Sequence, residues 1–103
     1  MVYKIEKDSR KGFFFLEGNS IWGYLNHRLL IGNKKNLLVQ ITPNHFETFE
    51  FKGGKLRTED NSIKITAVPN EEPEPKEILE VASSLYNQLA PEVQGELRGK
   101  LGW

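Results

Sequence analysis

Turn signals recur at strand-length intervals along the first two-thirds of this chain, and that spacing constrains its fold more than any other feature. Ser9-Arg10-Lys11-Gly12, Gly18-Asn19, Gly32-Asn33-Lys34-Lys35-Asn36, Pro43-Asn44, Gly53-Gly54 and Asp60-Asn61 all combine residues that favour tight backbone reversals. The segments between them are too short for helices and carry the two-residue period of strands. Val2–Lys7 sets Tyr3 and Ile5 on one face and Lys4 and Glu6 on the other. Ser20–Leu25 sets Ile21 and Leu25 against Trp22 and Tyr24, and Ile63, Ile65 and Ala67 share a face in Ser62–Val68. Phe13-Phe14-Phe15-Leu16 is apolar on both faces, so that strand is either central or shows Phe14 to solvent. About seven short strands joined by tight turns predict an antiparallel meander over residues 1–69, curled into a small barrel or a strongly bent sheet.

The period changes after Pro69. Residues 70–75, Asn-Glu-Glu-Pro-Glu-Pro, form an extended connector, because each proline disfavours helical backbone before it. Pro75 suits the first position of a helix, and Glu72, Glu74 and Glu77 complement its positive end. Ile78, Leu79, Val81, Ala82, Leu85, Tyr86 and Leu89 then repeat as a helical stripe from Lys76 to Leu89. Ala90-Pro91 interrupts it, and Val93, Leu97 and Leu101 mark a second short helix. Gly95 and Gly99 each cost that helix about 1 kcal/mol relative to Ala, so it must gain order by packing. Residues 76–103 are therefore expected as a helical segment that packs on the sheet or on a partner. The fold class is α+β, mainly β.

Charge is divided along the same boundary. Lys and Arg match Asp and Glu at 14 each, which argues against binding nucleic acid or membranes by bulk charge. Residues 1–69, however, carry eleven bases and seven acids, and residues 70–103 three bases and seven acids. The chain is thus dipolar, +4 against −4, a pattern that points to a partner or to self-docking.

Other classes of protein fall away on composition. The 103 residues suit one small domain, and 38% apolar side chains supply a core that a disordered tail lacks. Cysteine is absent, which excludes disulfide scaffolds, thiolate nucleophiles and cysteine zinc sites. The longest apolar runs, Phe13–Leu16 and Leu29–Ile31, fall far short of the roughly 20 residues of a membrane helix. Met1–Lys7 alternates charged and apolar side chains, unlike a signal or transit peptide. A cytoplasmic protein without a transmembrane segment is expected.

No constellation for chemistry is present. His27 and His45 share no ligand-spaced motif, Asp8 and Asp60 lie at turns, and Gly53-Gly54-Lys55 lacks the spacing and following helix of a phosphate loop. The expectation is a non-catalytic binding module, with no cofactor and no metal. Its favoured partner is another protein, a second copy of itself included, met by Trp22, Tyr24, Leu97, Leu101 and Trp103, because Trp and Tyr bury large rigid surfaces. Nucleic acid is the alternative. Small barrels stack bases on aromatics between cations, and Phe14, Trp22 and Tyr24 could form such a face with Arg10, Lys11, Arg28, Lys34 and Lys35 around it.

The order of about seven strands and one amphipathic C-terminal helix resembles that of pleckstrin-homology-like barrels. The resemblance is of architecture and brings no site residues with it. It implies headgroup or phosphopeptide binding as a third expectation, for which Lys34 and Lys35 in one hairpin, with Lys52, Lys55 and Arg57 near another, offer cations.

Overall fold

The chain reverses at Gly18-Asn19, Pro43-Asn44, Gly53-Gly54 and Asp60-Asn61 as expected, and also at Asn26-His27. Arg10, Lys11 and Gly12, expected within a turn, belong to a strand instead, and the result is eight antiparallel strands. A computed structural model describes residues 1–7 and 10–102, apart from the side chains of Lys7 and Arg10. The strands are β1 (Val2–Lys7), β2 (Arg10–Glu17), β3 (Ser20–Leu25), β4 (Arg28–Asn33), β5 (Leu37–Thr42), β6 (His45–Lys52), β7 (Lys55–Thr58) and β8 (Lys64–Asn70). The helices α1 (Pro75–Asn87) and α2 (Pro91–Leu101) follow. Every strand pairs with its sequence neighbours, and β8 returns to β1 with Val2 opposite Asn70 and Ile5 opposite Ala67, so the sheet closes into a barrel. Closure removes both sheet edges and their unpaired backbone groups. The four-residue β7 is a full member of the barrel, because it pairs with both β6 and β8. The connector is shorter than residues 70–75: Asn70 belongs to β8 and Pro75 opens α1.

Pairing decides which residues point inward, since Cα partners share a face. Phe14 faces Gly23, Tyr3 faces Phe14, and Leu37 faces Phe49. Phe14 is therefore interior, with no exposure at all, and Phe13 and Phe15 lie on the outer wall. Tyr3, Phe14 and Phe51 fill the barrel with ring centroids 5.1–5.2 Å apart, one pair stacked and two edge-on. Ile5, Ile21, Leu30, Leu56 and Ile65 complete this inner core.

A second apolar layer lies outside the barrel. Trp22, Leu29, Ile31, Leu38 and Phe46 face outward and are covered by Ala82, Leu85 and Leu89 of the α1 region and by Val93, Leu97 and Leu101 of α2. This explains the unbroken apolar runs Leu29–Ile31 and Leu37–Val39, strands buried on both faces. The helices do not plug a barrel end. They lie along the wall, α1 across β2, β3 and β4, because that is where the outward apolar row lies. Gln94 joins the two helices: its Nε2 donates to the carbonyls of Leu89 at 3.3 Å and of Tyr86 at 2.9 Å, the latter also accepting the Leu89 N–H. Among the described residues no helix is long and apolar enough to cross a membrane.

One polar side chain is part of the wall. The β4–β5 ladder runs from Gly32–Leu37 only to Leu30–Val39, and beyond it Gln40 Oε1 accepts the Leu29 N–H at 2.9 Å. Its Nε2 donates to the Pro43 carbonyl at 3.3 Å. Gln40→Leu should strand a buried amide and lower the unfolding free energy by about 2 kcal/mol, read from urea denaturation. An unchanged midpoint would mean that the Leu29 N–H finds another acceptor.

Candidate functional site

Two concave surfaces are built from these elements, and they gather different chemistry. The first is a groove of about 810 Å³ between the connector and the outer wall of β1, β2 and β3. Its floor is Phe13 and Tyr24, Cα partners whose rings meet edge-on with centroids 6.2 Å apart. Glu71, Glu72, Glu74 and Glu77 form the opposite side, and Lys4 is the single cation lining it. The Asn70 side-chain amide donates to the Glu72 carbonyl, which ties the connector to the end of β8. None of the four glutamates has an ion-pair partner among the described residues, whose salt bridges are His45–Glu47 and Glu96–Lys100. Burial, and then the negative charge of Glu77, hold the Tyr24 hydroxyl above its usual pKa. The groove is thus an acidic pocket with an aromatic floor, a combination that favours a cation.

The second surface is the end of the barrel that carries the β3–β4 and β5–β6 turns. A depression of about 670 Å³ opens there, with Leu25, Val39, Phe49, Ile63 and Ile65 as its apolar lining and Asn26, His27, Arg28 and Gln40 at its polar rim. Asn26 takes positive φ (55°), and its side chain accepts the Lys11 N–H at 3.1 Å while its own N–H donates to the Lys11 carbonyl at 2.7 Å. That pair pins the β3–β4 turn to β2. The neighbouring β7–β8 turn is held by Asp60, whose carboxylate accepts from Ser62 and Thr58. Hydrogen bonds from Ser62, and then from Thr58, keep the Asp60 carboxyl below its usual pKa, so its charge serves the turn.

The residues expected from sequence are dispersed. Tyr24 lines the acidic groove, whereas Trp22 is half-buried beneath the helices. Leu97 is 1% exposed and Leu101 half-buried, both packed against the outer wall. Trp103 and the side chain of Arg10 lie outside the described residues. Phe14 points into the barrel while Trp22 and Tyr24 point out, so these rings share no stacking face. The cations divide as well. Lys11 and Arg28 lie at the mouth end, and Lys34 and Lys35 at the opposite end, where the Phe51 N–H donates to the Lys34 carbonyl at 2.7 Å. That bond sets the Lys34–Lys35 loop beside the hairpin of Lys52 and Lys55.

Sequence reasoning missed Gln40, Phe13 and the glutamates as lining groups. A lone Gln in the apolar run Leu37–Ile41 was a usable signal; the glutamates read only as connector. His27 lies in the β3–β4 turn and His45 opens β6, and among the described residues no three metal-ligating side chains gather.

No family model matches. Comparison with curated proteins and with solved structures likewise returns no match.

Proposed function

We propose that the chain is a non-catalytic binding domain that acts through protein–protein interaction, and that its acidic groove receives a lysine or arginine side chain of the partner. The convergence of four unpaired glutamates on the Phe13–Tyr24 floor carries this reading. A cation there gains the attraction of carboxylates across a partly desolvated gap and the face of a ring, worth about 0.5–2 kcal/mol. Tyr24 supports the reading through the smaller cause of its raised pKa: burial acts first, and the negative charge of Glu77 adds to it. The basic barrel and acidic segment are complementary, so a second copy can supply the cation, with Lys34, Lys35, Lys52 and Lys55 exposed together at one barrel end.

Peptides that differ only by arginine or citrulline at one position test this directly. Calorimetry should find the arginine peptide bound about tenfold more tightly, with the preference lost in Glu72→Gln/Glu77→Gln and reduced at high salt. Glu77→Gln should also bring the Tyr24 pKa down towards its ordinary value, read by ultraviolet absorbance. Equal affinity for both peptides would overturn the groove as the site. Sedimentation of the chain alone at low salt decides whether the partner is another copy: mass rising with concentration supports self-association, and a constant monomer mass excludes it.

A further inference from the structure

We infer that the open end of the barrel is a separate site, one that takes a medium-chain carboxylate with its chain on the apolar floor and its head on Arg28. The depression exists for two reasons already visible in the fold. Both helices are used on the outer wall, and among the described residues none from a helix lines the depression. The β4–β5 ladder also stops at Leu30–Val39, so the two strands part towards the mouth, with only the Gln40 side chain bridging them. Its volume of about 670 Å³ falls within the range of about 300–1,000 Å³ common to small-ligand sites, for which barrel mouths are a frequent location.

The chemistry of the lining selects the ligand class. Leu25, Val39, Phe49 and Ile65 are interior residues of four different strands, and Ile63 flanks them. Below them the packed rings of Tyr3, Phe14 and Phe51 block the barrel, so an apolar chain can lie across the mouth but cannot thread the interior. Arg28 is the Cα partner of Leu25 and shares its inward face, which places the guanidinium at the rim above the apolar floor. It is half-exposed and has no carboxylate partner among the described residues. Among the described residues no carboxylate lines the depression. Glu47, the Cα partner of Val39, lies 3.7 Å from His45. A planar guanidinium beside an apolar floor matches a carboxylate that carries a hydrocarbon tail.

Titration of the intact chain with octanoate, octanol and octyltrimethylammonium, followed by amide chemical shifts, tests the site. Octanoate should perturb residues 25–28, 39–41 and 63–65 and bind about tenfold more tightly than octanol, with octyltrimethylammonium weakest. Affinity should rise roughly two- to fourfold per methylene from hexanoate to octanoate. Arg28→Gln should erase the preference for octanoate and leave the affinity for octanol unchanged. The comparison of head groups on the unaltered chain stands even if that variant folds poorly. Absence of shifts at the mouth, shifts centred on the exposed Val81 or elsewhere, or octanol binding as tightly as octanoate would each overturn the proposal.

Discussion

A chain ended at Ala90 is expected to lose its cooperative unfolding transition near room temperature. Truncation removes Leu97, which is fully buried, together with Val93 and Leu101, which are half-buried on the wall. It also uncovers Phe46, which lies beside Val93 and Leu97 of this helix. Full burial of one large aliphatic or aromatic side chain contributes about 1.5–3 kcal/mol, so the combined loss comes to about 5 kcal/mol or more. Domains of this size hold about 5–15 kcal/mol in total. Loss of Gln94 adds to the damage, since the Tyr86 and Leu89 carbonyls then have no side-chain donor. Thermal denaturation followed by circular dichroism measures the effect. A midpoint within a few degrees of the full chain would show that α2 is dispensable to the core and free to serve a partner.

Gly23→Ala is the second large effect, and it works by excess rather than loss. Gly23 sits on the inner face of β3, opposite Phe14 and flanked by the buried Ile21 and Leu25. A methyl group built there would overlap the Phe14 backbone and Cβ and the Phe13 carbonyl oxygen. These are main-chain and root atoms of the adjacent strand, so no side-chain rotation relieves the clash. Overpacking of a core costs about 1–3 kcal/mol where side chains can adjust, and more where backbone must move. A loss above 3 kcal/mol is expected, with the β2–β3 ladder spread apart. Urea unfolding gives the number, and Gly95→Ala supplies the control, because that glycine lies on an exposed helix face with no close neighbour. A Gly23 variant as stable as the control would mean that the two strands are not in this register.

The parts of the fold set by neighbouring residues could be read from sequence. Gly53-Gly54 turns the chain with positive φ at both glycines, and Asp60-Asn61 turns it at Asn61. Ile78, Ala82 and Leu85 of the expected stripe lie on a helix that opens at Pro75 and ends at Asn87, two residues short of Leu89. What could not be read depends on closure. Two-residue alternation gives two faces to each strand but does not say which is inside, so Phe14 stayed ambiguous until Gly23 was placed opposite it. The docking of the helices was likewise undecided, although the double-faced runs Leu29–Ile31 and Leu37–Val39 held the clue that something covers the outer wall. At the candidate sites Tyr24 and Arg28 were picked out for shared contact with a nucleic acid, and they belong to two separate surfaces. The glutamates of the connector acquire meaning only when folded against Phe13, which lies far away in sequence.

The closing of β8 onto β1 sets the order in which such a chain can assemble. Seven of the eight ladders join strands adjacent in sequence, and each can form as a hairpin within microseconds. The β1–β8 seam must instead draw together the two ends of nearly the whole β-part, an entropic toll that local pairing does not carry. Zipping of the hairpins therefore precedes the shutting of the ring. Until the seam shuts, β1 and β8 remain open templates on which strands of other molecules can add, so the time spent before closure is the period in which crowding turns folding into aggregation.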